Sequence, residues 1–219
     1  MIKGVVFDLD GTLVDSVEIH VSAWLEACKA MGLVKDDVEE MNMENLIRKL
    51  VGLAPIDIAY KIVSNSELAK KLAETKQRIY LTKIERVKLF PNVEKSLETL
   101  KKMDMKIAIA SSVSSNIIKR ILELNNIANY IDAYVGSDEV SKRKPEPDIF
   151  LKALEKISVK PSEAVIVGDT EYDIIPANKI NAISIQICWK QCLETNTKPN
   201  FYAKNIEEVI EIIKKLINK

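Results

Sequence analysis

Short apolar runs set what this chain can fold into. They lie at residues 2–7, 106–110, 133–135, 164–167 and 183–187. The first, ending Val5-Val6-Phe7, is nearly continuous and rich in β-branched residues, the pattern of a strand buried on both faces. Amphipathic stretches follow in alternation, carried by Val93, Leu97 and Leu100, by Ile117, Ile118, Ile121 and Leu122, by Phe150, Leu151 and Leu154, and by Ile206, Val209, Ile210 and Ile213. Such alternation predicts an α/β fold, a doubly wound and mostly parallel sheet with helices on both faces. The run Ile183-Ser184-Ile185-Gln186-Ile187 alternates apolar and polar, which predicts a strand nearer the sheet edge with one face wet. Residues 191–200 are polar and read as a surface loop.

Between the first and second runs the pattern is helical throughout, giving an all-helical insertion over 16–88 and a core built from 1–15 and 89–219. Asp15 and Glu18 are spaced as a capping box, and the helix that follows shows Val17, Val21, Trp24, Cys28 and Met31 on one stripe, stopped by Gly32. Leu46, Ile47, Leu50 and Val51 form a second apolar face that ends at Gly52, before the turn Leu53-Ala54-Pro55. Ser66 is the expected N-cap of a long helix through Leu68, Leu72 and Ile79. Met31 and the segment Met41-Asn42-Met43 read as core filler.

Composition removes several functions. The chain has 219 residues, with Lys+Arg of 32 against Asp+Glu of 32, so no global field holds nucleic acid or an anionic membrane. Arg is scarce beside Lys, unlike a reader of phosphate backbones. Cys28, Cys188 and Cys192 include no C-x-x-C pair and read as reduced thiols of a cytoplasmic protein rather than a disulfide frame. The first apolar run is too short for a signal peptide, and nothing approaches a membrane span.

In open parallel sheets, ligands bind beyond the carboxyl ends of the strands, where the strand order reverses. Polar residues stand at that place after several of the runs: Asp8 and Asp10, Ser111 and Ser112, and Asp169 with Asp173 one helical turn on. Lys144, in the basic loop Lys142-Arg143-Lys144-Pro145-Glu146-Pro147, also follows a strand, and Pro145 biases it to extended backbone. Carboxylates brought together repel and raise a pKa unless a cation compensates. Oxygen-only ligands suit Mg²⁺, which bridges carboxylates to substrate phosphate. Zinc is disfavoured, because the single His and the cysteines lie far from these segments in sequence. Hydroxyls at a helix start and a Lys point charge fit a phosphoryl group.

The segments Asp8-Leu9-Asp10-Gly11-Thr12-Leu13-Val14-Asp15-Ser16, Ser111-Ser112, Lys144-Pro145 and Gly168-Asp169-Thr170-Glu171-Tyr172-Asp173 resemble, in order, the four motifs of the haloacid dehalogenase superfamily. The helical insertion is similar to the C1 cap of its phosphoglycolate phosphatase and β-phosphoglucomutase-like branch. The resemblance implies a Mg²⁺-dependent phosphatase acting on a small phosphorylated metabolite, as a monomer or small homo-oligomer. It makes Asp8 the nucleophile that becomes an aspartyl-phosphate, and Asp10 the acid that protonates the leaving group and then the base that takes a proton from water. The phosphate would lie against Asp8, Leu9, Asp10, Ser111, Ser112 and Lys144, with Ser111 and Lys144 taking part in catalysis. The metal would be held by Asp8, the Asp10 main-chain carbonyl, Asp169 and Asp173, the last directly or through a second shell. His20, Trp24, Gly52 and Leu53 are the residues through which the resemblance places the cap near substrate. For His20 beside Trp24 the competing reading is plain packing.

Three alternatives remain. A phosphosugar mutase needs a cap cation for its second phosphate, yet the turn at Gly52 carries no basic residue and Arg48 lies upstream. Dehalogenase and phosphonatase branches lack the second acid that Asp10 supplies. A non-catalytic phosphate-ligand binding protein would be marked by loss of a motif residue, and none is lost. Asp15 reads as a cap or turn residue, and Ser137-Asp138-Glu139 as a turn or cap, a place at the site's edge being the competing reading.

Overall fold

A computed structural model describes residues 1–189, 192 and 197–218. The chain forms two compact units, Met1–Asp15 with Leu89–Lys219, and Ser16–Lys88. In chain order, β1 (Gly4–Phe7) and the two-residue β2 (Val14–Asp15) precede helices α1 (Val17–Ala30), α2 (Asp37–Leu50), α3 (Pro55–Ile62) and α4 (Ser66–Lys83), and β3 (Lys88–Leu89) marks the return. The remainder alternates: α5 (Val93–Lys102), β4 (Lys106–Ser111), α6 (Ser115–Leu124), β5 (Ala133–Gly136), α7 (Asp148–Lys156), β6 (Ala164–Gly168), α8 (Glu171–Lys179), β7 (Ile183–Ile187), β8 (Phe201–Ala203) and α9 (Ile206–Ile217).

The larger unit is built on a parallel sheet of order β5-β4-β1-β6-β7-β8. β1 lies at its centre, with Val6 in register with Ala108 on one side and Ile166 on the other. The chain fills one side through β4 and β5, then crosses to β6 and beyond, so the order reverses beside β1. Val5, Val6 and Phe7 are fully buried, as a strand covered on both faces requires. On one face Val6, Ala108 and Ile166 pack with Phe150 and Leu154 of α7. On the other, α5 and α9 supply the buried Leu97, Leu100, Val209 and Ile213.

Two expectations fail at the end of this sheet. β7 stands next to the edge strand β8, Ile185 pairing with Phe201 and Ile187 with Ala203, but the polar face expected to be wet is dry. Ser184 and Gln186 are fully buried: Ser184 Oγ donates to Asn178 Oδ1 at 2.8 Å, and Gln186 Nε2 to the Asp169 carbonyl at 3.2 Å. Cys188 and Cys192 are not reduced thiols. They form a disulfide, the chain beyond β7 bringing their Cα atoms to 4.6 Å, so cysteine usage does not argue for a reducing compartment. Cys28 is the free, buried cysteine, its thiol pushed up to about 11 by burial. The loop expected at 191–200 lies in part outside the described residues. Among the described residues no helix is long and apolar enough to cross a membrane.

The helical unit packs α1 against α4 through Val21, Trp24, Ala27, Ala69, Leu72 and Tyr80, all buried. Gly32 stops α1 at φ +68°, with Leu33 N–H donating to the Cys28 carbonyl at 2.9 Å. The Asp15–Glu18 box does not form: the α1 N-cap is Ser16, without a side-chain cap bond, and Glu18 instead accepts both Nη groups of Arg48 at 2.7 and 2.8 Å. A forked guanidinium outcompetes a single backbone N–H for a carboxylate. Asn65, not Ser66, caps α4 by accepting from Leu68 N–H at 2.9 Å. Met41 is 58% exposed, not core filler, because α2 turns it outward with Val38.

Candidate active site

The site grows from the end of β1. Asp8 N–H still bonds to the Val167 carbonyl of β6 at 2.8 Å, so strand pairing fixes this carboxylate's origin. The chain then folds on itself, the Leu9 carbonyl accepting from Leu13 N–H at 2.9 Å and Val14 N–H at 3.1 Å. Gly11 sits at φ +81°, where a Cβ would stand 2.4 Å from Asp169 Oδ2, so no side chain fits. Thr12 is fully buried and donates through Oγ1 to Asp169 Oδ1 at 3.2 Å.

The strands flanking β1 bring the other segments to this turn. Ser111, at the end of β4, is buried, with Oγ 3.5 Å from Asp10 Oδ2 and accepting from Val113 N–H at 3.3 Å. Lys144 is buried and donates to Asp8 Oδ1 at 2.6 Å and Asp173 Oδ1 at 2.7 Å, over the Phe150 ring at 4.9 Å. The Lys144–Pro145 peptide is cis. Asp173 divides its oxygens: Oδ2 accepts from Thr170 N–H and Oγ1 in a capping box at the start of α8, while Oδ1 faces Lys144. One oxygen each from Asp8, Asp169 and Asp173 lies within 4.8 Å of the others.

The electrostatics follow from burial and crowding. Burial, opposed by Lys144 and reinforced by Asp173, pushes the Asp8 carboxyl up to about 7. Burial, with Asp8 and Asp173 beside it, raises Asp169 well above the usual carboxylate range. Burial works against the Lys144 charge, but Asp173 and Asp8 overcome it and hold the ammonium above its ordinary value. The Lys144 ammonium thus faces two of three clustered carboxylates, Asp8 and Asp173, with Asp169 beside them and Asp10 nearby. An all-oxygen donor set with excess negative charge fits a hard divalent cation by charge and donor type.

Asp8, Asp10, Ser111, Lys144, Asp169 and Asp173 meet in this one unit. Ser112 is buried in the same loop. Leu9 is also fully buried, its carbonyl committed to the turn.

His20 and Trp24 belong to the helical unit and are both buried. His20 stacks on Tyr80 with centroids 4.2 Å apart, and its Nδ1 lies 2.7 Å from Lys76 Nζ. The Lys76 ammonium stands 4.7 Å from the Tyr80 centroid and 5.6 Å from that of Trp24. Gly52, at φ +109°, and the buried Leu53 form the turn before α3.

Sequence reading missed Lys76, Gln186 and Trp189. Lys76 hid in a lysine-rich helix, although its four-residue spacing from Leu72 and Tyr80 marks the inner face. Trp189 Nε1 donates to the Thr12 carbonyl at 3.1 Å, a tie that nothing local in the sequence announces.

The family model for haloacid dehalogenase-like hydrolases matches residues 5–187. The chain is 28% identical over 210 residues to a phosphoglycolate phosphatase of Aquifex aeolicus, covering 95% of each chain. It is 26% identical over 216 residues to a pyrophosphatase of Bacillus anthracis, covering 97% of this chain and 96% of that one. A solved structure from Clostridium acetobutylicum, described as a predicted phosphatase, superposes with a TM-score of 0.85 at 26% identity, covering 98% of this chain and 99% of its own. With the motif residues gathered at the end of β1 and a family match spanning most of its length, the chain belongs to the haloacid dehalogenase-like hydrolases.

Proposed function

We propose that this protein is a Mg²⁺-dependent phosphatase that releases phosphate from a small phosphorylated metabolite through an aspartyl-phosphate on Asp8. The observation that carries this reading is Asp8 at the end of the central strand, 2.6 Å from a buried Lys144 ammonium and clustered with Asp169 and Asp173, while Asp10 stands two residues on. Units 1–15 with 89–219 and 16–88 are read as core and cap.

The chain's own residues have distinct tasks. An Asp8 oxygen attacks phosphorus as the bond to the leaving oxygen breaks, and Asp10 gives that oxygen its proton. Asp10, now a base, takes a proton from the water that attacks the aspartyl-phosphate, which frees inorganic phosphate and restores Asp8. Lys144 neutralises phosphoryl oxygens, and Ser111, already within reach of Asp10, contributes a hydroxyl donor. Asp8, Asp169 and Asp173, with the Asp10 main-chain carbonyl, would hold Mg²⁺, which when bound supplies further charge to the transferring phosphoryl group.

Relatives named for phosphoglycolate and for pyrophosphate make those two compounds the first physiological substrates to assay. A mutase reading is not favoured, since Arg48 already has both Nη groups on Glu18 and its Nε 3.0 Å from Glu44. The test is release of phosphate from p-nitrophenyl phosphate with Mg²⁺. Wild type is expected to turn over, and Asp8→Asn to lose at least about 10³-fold in kcat while melting as a folded protein. Persistence of activity in that variant would overturn the mechanism.

A further inference from the structure

The turn that carries Asp8 and Asp10 is held from outside the four motifs. The Trp189 ring stacks on Phe90 at 4.3 Å and 10°, while Phe90 N–H donates to the Leu13 carbonyl at 3.0 Å. The Trp189 indole N–H, a donor only, reaches the carbonyl of Thr12, a residue with no exposed surface, at 3.1 Å. One side chain thereby grips both strands of backbone, residues 12–13 and residue 90, that flank the chain's excursion into the helical unit. Thr12 passes the constraint inward through its hydroxyl to Asp169.

What fixes Trp189 is its neighbour. Cys188 N–H bonds to the carbonyl of Ala203, the last residue of β8, at 2.8 Å, and the Cys188 sulfur is joined to Cys192. The backbone entering Trp189 is therefore held by the sheet, and Trp189 lies within the small covalent ring that the Cys188–Cys192 bond closes. Opening that ring returns conformational freedom to the segment while leaving the sheet bond in place.

We propose that Trp189 is a positioning residue for the nucleophile turn and that the Cys188–Cys192 bond holds it there, so that the thiol–disulfide state of this pair sets how firmly the turn is held. The inference rests on the function proposed above and adds a determinant that the motifs do not contain. Reduction by two equivalents of a thiol breaks the S–S bond. Two electrons and two protons end on Cys188 and Cys192, and the thiol leaves as its own disulfide. Neither sulfur belongs to the carboxylate cluster, so the effect passes through Trp189.

The experiment uses the full chain. Alkylation followed by intact-mass measurement reports whether the two cysteines are bonded. Hydrogen exchange of peptides covering residues 8–14 reads the turn whether or not the chain hydrolyses anything, and kcat and KM on p-nitrophenyl phosphate read the consequence. Trp189→Phe keeps a ring against Phe90 and removes the N–H. It is expected to lower kcat about fivefold with KM and melting temperature little changed, and to speed exchange at Leu13 and Val14. Dithiothreitol is expected to lower wild-type kcat about threefold and to speed the same amides, with no further effect in Trp189→Phe. Cys188→Ser without reductant should reproduce the reduced wild type.

Three results would overturn the proposal: alkylation of Cys188 and Cys192 without prior reduction, unchanged exchange over 8–14 in both Trp189→Phe and reduced wild type, or reductant slowing Trp189→Phe as much as wild type. Complete inactivity of the oxidised wild type would instead sink the phosphatase reading, and the exchange data would still decide this one.

Discussion

Gly11 shows how much a single position can decide here. Its φ of +81° is in the left-handed region, and the space a methyl group would fill is already held by the Asp169 carboxylate, 2.4 Å away. Gly11→Ala therefore carries both backbone strain and displacement of a site residue. It should cost about 1–3 kcal/mol in a urea melt and lower kcat by more than about tenfold in the phosphate-release assay. Nothing local in the sequence marks the carboxylate opposite Gly11, which comes from a segment more than a hundred residues later. Lys144 is a second case. Pro145 singles it out of a basic run, yet its two carboxylate partners are visible only once β1 and β6 lie side by side.

At the scale of elements, the join between β4 and β5 carries a pH-sensitive tie. Asp132 Oδ2 accepts from Ile107 N–H at 2.8 Å and from Lys101 Nζ at 2.8 Å, just before β5 begins. Burial alone would raise this carboxyl, but the Lys101 and Ile107 bonds outweigh it and hold it below the usual 3.8. A carboxyl depressed in the folded state stabilises fully above its unfolded value, and that contribution fades as pH falls through the folded value. Asp132→Asn should thus lose about 1–2 kcal/mol at pH 7, and the gap to wild type should close as melts are repeated from pH 5 down past 3.8. In the helical unit, His20→Ala removes both the Tyr80 stack and the group 2.7 Å from the buried Lys76 ammonium. A loss of about 2–4 kcal/mol is expected from those combined effects, read by thermal melting. Periodicity was a sound guide to most of these elements. It failed at β7, where alternation of Ser184 and Gln186 records buried hydrogen bonds rather than water, because polarity alone does not say what satisfies it.

For the whole molecule, the crowding of Asp8, Asp169 and Asp173 sets stability against function. Burial keeps Asp8 and Asp169 raised, so in the absence of a cation the folded state bears carboxyls that it would hold more easily neutral. Mg²⁺ should raise the melting temperature, by an amount equivalent to about 2.7 kcal/mol at one hundred times its Kd. Asp169→Asn should do the reverse of a simple lesion: a higher melting temperature in EDTA, no further rise with Mg²⁺, and loss of turnover. Differential scanning fluorimetry with and without EDTA reads all of these except turnover. A Mg²⁺-dependent rise equal to wild type in Asp169→Asn would remove that residue from the metal set.

The fold class, the run of helices after β1 and the acids and lysine that cluster at its end were legible along the chain, because buried strands, helical faces and motif order are local patterns that one chain displays without its neighbours. Which groups touch emerges only when the chain is folded. Folding placed Asp173 between a helix cap and Lys144, committed Glu18 to Arg48, closed Cys188 on Cys192 and brought Trp189 to Thr12. Those outcomes depend on competition among partners far apart in the chain, and spacing along a sequence carries no information about which partner wins.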